Sequence, residues 1–369
     1  MIKNFSKKII VLVIIIILVG CYAAKNIIID YYYLSSSEAC ADSISNEADF
    51  KFDAATGTIT KYIGNQSEVV IPSTINGETV TSIGKNAFVD CGILIKITIP
   101  ECITSIGTNA FGNCGNLNDI IPKHNNKYYT SLEGVLFNKL KTEIIKYPEG
   151  KKDTSYIIPS SVASIGDGAF ILSRNLTSIT IPNSITNIGE RTFNGCIGLT
   201  SINIPDSVIN IGDNAFGHCN KLISIKIPKG VTNISGSEFS DCISLESITI
   251  PSSVVSIGNS AFYGCRNLQS ITIPSSVTSV GSAAFYSCSS LESITIPNGA
   301  ISIEKYAFND CSSLTSVTIP SSVTSIGNNA FLGCGNAIFY VESKKTKELL
   351  LKPDANSDIY VESNKIVMK

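Results

Sequence analysis

The chain has 369 residues and a formal net charge of −2, and its 44% of hydrophobic residues is enough for a sizeable core. Charged residues make up only 16%, and no basic run is interleaved with aromatic residues, which excludes nucleic-acid binding through phosphate neutralisation. The only histidines are His124 and His218, and tryptophan is absent, so most metal sites and histidine-based catalytic sites are excluded as well.

Residues 1–20 are predicted to be a signal peptide. Three lysines precede a dense apolar stretch of eleven residues, 9–19, which is shorter than the ~20 residues of a membrane-spanning helix. The run ends in Leu18-Val19-Gly20-Cys21, which resembles the lipobox of bacterial lipoproteins and implies lipidation of Cys21, with acyl chains that hold the protein on a membrane. An uncleaved anchor and an ordinary cleaved signal are the alternatives. All three place the rest of the chain outside the cytoplasm.

Residues 21–49 are predicted to form a lipid-anchored flexible tether. The segment contains Tyr31-Tyr32-Tyr33 and Ser35-Ser36-Ser37, and it sustains neither a helical nor a strand period. Such a spacer separates the membrane from the folded part of the chain.

The rest of the chain repeats with a period of 23 residues. Three residue types follow the same step, which makes the period the first feature to interpret. They are prolines at 159, 182, 205, 228, 251, 274, 297 and 320, phenylalanines at 170, 193, 216, 239, 262, 285, 308 and 331, and cysteines at 196, 219, 242, 265, 288, 311 and 334.

The unit at residues 245–267 shows how a repeat is expected to fold. Ile248 and Ile250 alternate with Ser247 and Thr249, which is the period of a strand with one buried face. The first part of each unit is therefore predicted to be a short strand.

The second part of the same unit is predicted to turn back across the core. Pro251 lacks a backbone N–H and is expected where strand pairing ends. Gly258 is expected in a permissive turn, and Ala261 and Phe262 are expected to fill the core from the opposite side. A unit of this length cannot bury its apolar edge alone, whereas stacked units can, so the sequence predicts a repeat solenoid.

The pattern L-x-x-I-x-I-P-x-x-V-x-x-I-G-x-x-A-F-x-x-C resembles the leucine-rich repeat of BspA-like bacterial surface proteins over roughly residues 50–369. The resemblance implies a mainly β, curved solenoid with short strands on the concave side, an irregular convex side and a cap at both ends. The solenoid is placed at residues 50–336. Slightly different convex turns, within the same fold, are expected where the alanine or glycine is replaced: at Thr192, Glu238, Ser235 and Glu304.

Irregular segments interrupt the repeat in its N-terminal half. Residues 50–60 are predicted to be a hairpin that caps the solenoid, and residues 74–78 a five-residue turn insertion. Residues 123–153 are an irregular hairpin insertion with two predicted strands, 129–137 and 142–147.

Residues 337–369 are predicted to be a C-terminal cap. Strands are expected at 337–341 and 358–361, with a short helix near 344–352 between them. A cap is needed because an open strand edge would pair with other chains.

Nine of the twelve cysteines recur at one repeat position: Cys91, Cys114, Cys196, Cys219, Cys242, Cys265, Cys288, Cys311 and Cys334, with Ser173 in the tenth coil. Neighbouring coils should lie about 4.8 Å apart, which is inside the ~4.4–6.8 Å Cα range of disulfides. Stacked side chains run parallel into the core, however, so buried free thiols are favoured over disulfides. The spacing does not match C-x-x-C metal sites.

Two residue pairs are candidates for catalysis. Glu246 and Glu292 hold the same repeat position two coils apart, roughly 10 Å, near the upper limit for an inverting glycosidase, but a solvated rim is the simpler interpretation. His218 precedes Cys219 and suggests a Cys–His dyad, although adjacent residues generally point apart. Neither a G-x-S-x-G nor a G-x-x-x-x-G-K-[ST] motif occurs.

Small hydroxyl residues occupy the outward positions of the predicted concave strands. In four successive coils they form the candidate partner-binding surface, called the hydroxyl strip: Ser247, Thr249, Ser270, Thr272, Ser293, Thr295, Ser316 and Thr318. The strip is short of the Tyr, Trp and Arg anchors of tight interfaces. The alternatives are hydroxyls that merely tolerate strands and water, and an ice-binding lattice, which a curved face fits poorly.

The sequence predicts a non-catalytic protein at the cell surface, with no cofactor, metal or small-molecule substrate. The resemblance implies binding or adhesion to proteins of host, matrix or neighbouring cells, with membrane contact through the lipid anchor. Binding is expected to use the hydroxyl strip and the 123–153 insertion. The alternatives are a structural envelope lipoprotein without a specific ligand, and an enzyme whose site the sequence does not reveal.

Overall fold

The computed structural model describes residues 43–351 and 361–369. From Asn46 to Lys369 the described chain is a mostly β solenoid of about 13 turns, which confirms the predicted fold class. The predicted signal peptide, Cys21 and the tether as far as residue 42 lie outside the described residues, as do residues 358–360 of the predicted last strand.

Each coil contributes very short strands. In chain order the strands are β1 (Phe50–Asp53), β2 (Thr58–Tyr62), β3 (Glu68–Val70), β4 (Thr74–Ile75), β5 (Glu78–Thr79), β6 (Ser82–Ile83), β7 (Lys96–Ile99), β8 (Ser105–Ile106), β9 (Asp119–Pro122), β10 (Tyr129–Leu132), β11 (Val135–Asn138), β12 (Glu143–Lys146), β13 (Ser155–Ile157), β14 (Ser164–Ile165), β15 (Ser178–Thr180), β16 (Asn187–Ile188), β17 (Asn210–Ile211), β18 (Ser224–Lys226), β19 (Asn233–Ile234), β20 (Ser247–Thr249), β21 (Ser256–Ile257), β22 (Ser279–Val280), β23 (Ser293–Thr295), β24 (Ser302–Ile303), β25 (Ser316–Ile319), β26 (Ser325–Ile326), β27 (Ile338–Val341) and β28 (Ile366–Met368). Helix α1 (Lys344–Leu351) and the 3-10 turns Glu47–Asp49 and Ser363–Lys365 are the helical elements of the described chain.

The L-x-x-I-x-I segments form one set of parallel strands, called the first ladder. It runs in four pieces, β3-β7-β9, β13-β15, β18-β20 and β23-β25-β27-β28. In β20, Ile248 is buried while Ser247 and Thr249 are exposed, so the predicted strand with one buried face is confirmed.

The V-x-x-I segments form a second ladder of parallel strands, which the sequence does not predict. The second ladder contains β2-β6-β8, β12-β14-β16-β17 and β19-β21-β22-β24-β26. Most of its strands have only two residues, too few to show a period within one unit, and their pairing comes from the stacking itself, as where Ser256 pairs with Ser279 and Ile257 with Val280.

The A-F-x-x-C segments form the third side of each coil, called the turn side. Two residues per coil have a left-handed backbone there, for example Ser260 (φ 55°) and Gly264 (φ 69°). The N–H groups of Ser260, Phe262 and Gly264 donate to carbonyls of the next coil at 2.8, 2.7 and 2.8 Å. Backbone hydrogen bonds therefore connect neighbouring coils on the turn side as well as in the two ladders.

Gly258 has a different role from the one the sequence predicts. Its φ is not positive, and the left-handed turn falls instead on Ser260. A Cβ at Gly258 would lie 2.8 Å from the carbonyl carbon of Ser235 and 2.9 Å from Ile234 O, both backbone atoms of the preceding coil. Glycine is therefore needed for the close approach of two coils rather than for an unusual turn.

The core is built from stacked side chains of equivalent position. Phenylalanine rings from Phe170 to Phe331 stack with ring centroids 5.1–5.6 Å apart. All ten described cysteines are free thiols, in agreement with the prediction for the ladder cysteines. Eight of these thiols donate to a phenylalanine carbonyl of the preceding coil, as Cys265 does to Phe239 O at 3.1 Å. The cysteines therefore fill the core and also satisfy a buried carbonyl.

Replacing Cys265 with serine should lower the free energy of unfolding by about 1–3 kcal/mol, because the Cβ–O bond is shorter than the Cβ–S bond and the buried hydroxyl does not reach the Phe239 carbonyl as the thiol does. Ser173, which holds the same repeat position, shows the reason: its Oγ is buried and has no hydrogen-bond partner. Chemical denaturation of the wild type, Cys265→Ser and Cys265→Ala measures the effect. Because alanine buries no polar atom, the serine variant should be no more stable than the alanine variant. A serine variant as stable as the wild type would contradict the argument.

The insertion at residues 123–153 has three strands rather than the predicted two. The predicted strand 129–137 is a tight hairpin of β10 and β11, because Glu133 and Gly134 both have a left-handed backbone (φ 51° and 79°). Strand β11 separates two apolar cores: Leu136 packs with the N-terminal coils, while Val135 and Phe137 pack with the C-terminal coils. The alternation of side chains along one strand thus fills both cores.

The two ends of the solenoid and the 74–78 insertion are close to what the sequence predicts. Strands β1 and β2 form the N-terminal hairpin, and β4 and β5 form a second hairpin around Asn76 and Gly77. At the C-terminus β27 and α1 are present, and β27 pairs with β25 on one side and on the other with β28, a strand that the sequence does not predict. In the predicted strand 358–361, only Val361 is described, and it lies outside any strand.

Glu238 occupies the alanine position of its coil and is fully buried. Its Oε2 accepts a hydrogen bond from the backbone N–H of Ser235 at 2.7 Å, while Oε1 has no partner. Burial raises the pKa of the Glu238 carboxyl well above its usual value. The Ser235 hydroxyl donates to Ile211 O in place of the diverted N–H, and the second ladder is broken between β17 and β19. The change stays local, as predicted for such coils.

The stability of the protein should depend on pH through Glu238. The folded state keeps this proton to a higher pH than the unfolded chain, whose Glu pKa is about 4.3, so stability is full below that pH and falls as pH rises through the raised pKa. Glu238→Gln keeps the shape but cannot titrate. Its advantage over the wild type should grow between about pH 4 and 7, by at most about 1.4 kcal/mol per pH unit.

Urea denaturation over that pH range measures this difference. The matched control is Glu246→Gln, at an exposed position, which should follow the wild type. Parallel stability curves for the wild type and Glu238→Gln would show that the buried carboxyl does not titrate differently in the folded state.

Candidate binding surface

Six of the eight residues of the hydroxyl strip are exposed, namely Ser247, Thr249, Ser270, Thr272, Ser293 and Thr295. The buried isoleucines between them, such as Ile248 and Ile294, fix the strip to the core. None of the hydrogen bonds among the described residues uses the six side-chain hydroxyls. These hydroxyls are therefore free to bind water or a partner.

Strand pairing sets the spacing of the strip over most of its length. The pairs are Ser224–Ser247, Lys226–Thr249, Ser293–Ser316 and Thr295–Thr318. Residues 270–272 form no strand, so the predicted mid-strand position of Thr272 is wrong. Ile271 and Ile273 are still buried, so apolar contact holds this coil in the stack without strand pairing. The strip consists of two paired segments joined by an irregular coil.

The C-terminal cap covers one end of the strip. Ser316 and Thr318 are half-buried, and Lys369 Nζ donates to Thr318 Oγ1 at 3.4 Å while lying 5.3 Å from the ring centroid of Tyr340. Ile338 and Tyr340 pair with Ser316 and Thr318, so they continue the strip with larger side chains.

Ile338 and Tyr340 are not among the residues that the sequence predicts for the strip. The available signal is the alternation in Ala337-Ile338-Phe339-Tyr340-Val341, which puts Ile338 and Tyr340 in the register of the upstream serine and threonine. An aromatic ring beside a lysine adds the kind of anchor that the hydroxyl residues lack.

The rim of the strip carries few charges. Glu246 and Glu292 are both exposed, and neither takes part in an ion pair of the described chain. Two exposed carboxylates fit a solvated rim better than a glycosidase pair, whose carboxyls flank a bound sugar.

His218 and Cys219 do not form a dyad. The His218 side chain is 55% exposed, with Nδ1 3.5 Å from Asp241 Oδ2. The Cys219 thiol is buried and donates to Phe193 O at 3.2 Å, while burial raises its pKa well above the ordinary value. A buried, protonated thiol that points away from the imidazole cannot act as a nucleophile with it.

Within residues 43–351 and 361–369, no group of three or more His, Cys, Asp and Glu residues could hold a metal ion. No helix in the same ranges has the length and apolar character required to span a bilayer.

Solved structures of similar proteins come from several bacteria. A leucine-rich cell surface protein of Faecalibacterium prausnitzii A2-165 is 27% identical and covers 84% of this chain and 98% of its own, with a TM-score of 0.45. A leucine-rich repeat protein of Eubacterium ventriosum is 26% identical, covering 74% of this chain and 78% of its own, with a TM-score of 0.51. One of Bacteroides ovatus is 26% identical, covering 89% and 99%, with a TM-score of 0.44.

A search of curated proteins finds no match. The family model described as the BspA type leucine-rich repeat region (6 copies) matches residues 36–154, 149–254 and 233–349. These matches cover most of the chain and coincide with the stacked coils. The chain belongs to the BspA type leucine-rich repeat family.

Proposed function

We propose that this is an exported, membrane-tethered protein that binds other proteins at the cell surface without catalysing a reaction. The observation that carries the proposal is the hydroxyl strip, in which six exposed side-chain hydroxyls have no partner within the described protein. The residues of the strip alternate with isoleucines that are buried in the core. The backbone of the strip is therefore ordered before a partner binds.

The chemistry of the strip favours an extended protein partner. Hydroxyls both donate and accept hydrogen bonds but supply little apolar area, so each contact is weak. Affinity then comes from area and from many copies on one cell surface, which suits adhesion to host, matrix or neighbouring cells. Because the strip has few charges, binding should depend only weakly on salt.

The location of the protein is argued from its N-terminal sequence. The apolar run that ends at Cys21 supports export and a lipid anchor.

The proposal can be tested by placing three lysines on the strip. Thr249, Thr272 and Thr295 are exposed, so the triple Thr→Lys variant should keep its fold and stability while its capture of partners falls at least tenfold. A pull-down from extracts of cell-surface proteins with residues 50–369 measures the capture, and circular dichroism checks the fold.

The matched control is the triple Thr→Lys variant at Thr186, Thr232 and Thr278. These threonines are also exposed but lie beside the second ladder, and the same charge is added. The control should bind as the wild type does. Full binding by the strip variant would show that the strip is not the site, and the absence of any saturable partner would favour a structural envelope protein.

Cys21→Ala should release the protein from the membrane fraction or leave its precursor uncleaved, because the lipid is attached through this thiol. Incorporation of a labelled fatty acid and membrane fractionation measure the change. Cys40→Ala is the matched control and should remain lipidated. Unchanged processing of Cys21→Ala would favour a retained anchor or an ordinary signal.

A further inference from the structure

A groove of about 690 Å³ opens on the turn side, next to the insertion at residues 123–153. One wall is the coil segment 107–113 and the other is the segment 166–172. Ile145 and Lys146 of β12 lie between them and form the floor. The groove is on a different side of the coils from the hydroxyl strip.

The groove exists because one coil is two residues short. Ile144 pairs with Ile165, and Tyr147 stacks on Phe170 with ring centroids 5.2 Å apart. Only two residues connect Ile144 to Tyr147, whereas four connect Ile165 to Phe170. The outward bend of this coil is therefore missing, and its two neighbours are separated by about two coil steps, roughly 10 Å.

Backbone donors are left without partners on the first wall. In a complete coil, the N–H groups of Ser260 and Phe262 donate to Ser282 O and Ala284 O of the next coil at 2.8 and 2.7 Å. Asn109 and Phe111 hold the equivalent positions beside the groove. Within the described part of the chain, their N–H groups donate to no acceptor.

The second wall has the complementary defect. In a complete coil, Lys305 O accepts a hydrogen bond from Ala283 N at 2.9 Å. Asp167 holds the position equivalent to Lys305, and its carbonyl accepts no hydrogen bond from the residues that the structure describes. One wall thus offers backbone donors and the facing wall offers a backbone acceptor.

The third broken bond at this interruption is repaired by a side chain. Glu149 Oε1 accepts from the N–H of Asn113 at 3.2 Å, and Lys146 Nζ balances its charge at 2.9 Å. This ion pair is buried in the groove floor. The other charged side chains of the lining, Lys85, Glu143, Asp167, Glu190 and Arg191, are exposed or half-buried and so reach water.

We propose that the groove binds an extended polypeptide segment of a partner protein, with small, uncharged side chains. Its carbonyls accept from the N–H groups of Asn109 and Phe111, and one of its N–H groups donates to the carbonyl of Asp167. Only a polypeptide backbone offers donors and acceptors on opposite edges at the width of one strand. Small side chains are required because the complete coils place Ser282, Ala283 and Ala284 at these positions.

The probe is a capped, fluorescently labelled hexapeptide with the sequence of Ser279–Ala284, which makes the equivalent bonds in its own coil. Binding to the full chain is measured by fluorescence anisotropy, and protection of the Asn109 and Phe111 amides by hydrogen exchange. Saturable binding with protection of both amides is expected. The same peptide with alternate amide nitrogens methylated should bind at least tenfold more weakly, because it cannot donate to Asp167 O.

Thr108→Trp fills the groove from an exposed position on its wall and should weaken peptide binding at least tenfold. Lys305→Trp is the matched control, at the equivalent exposed position of an uninterrupted coil, and should bind normally. Absence of saturable binding, or equal binding of the methylated peptide, would overturn the proposal. Amides of Asn109 and Phe111 that are already protected without peptide would also overturn it, because the groove would then be filled by the chain itself. The triple Thr→Lys variant of the hydroxyl strip should bind the peptide as the wild type does, because the strip lies on a different side of the coils from the groove.

Discussion

The structure depends on backbone hydrogen bonds between successive coils. Each coil makes short-range turn bonds of its own, such as Cys265 N–H to Phe262 O at 3.2 Å, but the bonds that join one coil to the next lie on the turn side and in both ladders. The 23-residue period keeps equivalent donors and acceptors opposite each other. The stacked phenylalanines and the hydrogen bonds from the thiols to backbone carbonyls follow from this register. Each side chain packs against a residue of the same type at the equivalent position of the next coil.

Where the repeat departs from its pattern, side chains replace the missing backbone contacts. The Ser235 hydroxyl donates a hydrogen bond to Ile211 O, because the backbone N–H of Ser235 donates to Glu238 instead. The Glu149 carboxylate accepts a hydrogen bond from the N–H of Asn113, where the next coil is too short to supply a carbonyl. These substitutions explain how the stack tolerates irregular coils. They also show its limits, since Glu238 Oε1 and the donors beside the groove have no partner among the described residues.

The sequence was sufficient for the features that depend on a period within one unit. The alternation around Ile248 predicts the first ladder and the outward direction of Ser247 and Thr249 correctly. It could not predict the second ladder, because two-residue strands have no internal period. The role of Gly258 was missed for a related reason, since a close approach involves the preceding coil and not the local turn. The groove follows from a deficit of two residues, visible only once Ile144 is aligned with Ile165 and Tyr147 with Phe170.

The uniform direction of the turn-side hydrogen bonds has a consequence for how such proteins change in evolution. Each complete coil presents acceptors to its predecessor and donors to its successor in the same positions. A whole coil can therefore be duplicated or lost without altering the interface that its neighbours require, whereas a gain or loss of one or two residues cannot. The length of the molecule can thus vary in steps of one repeat. Gene duplication then changes the length of the solenoid, while substitution of individual surface residues changes which partner it binds.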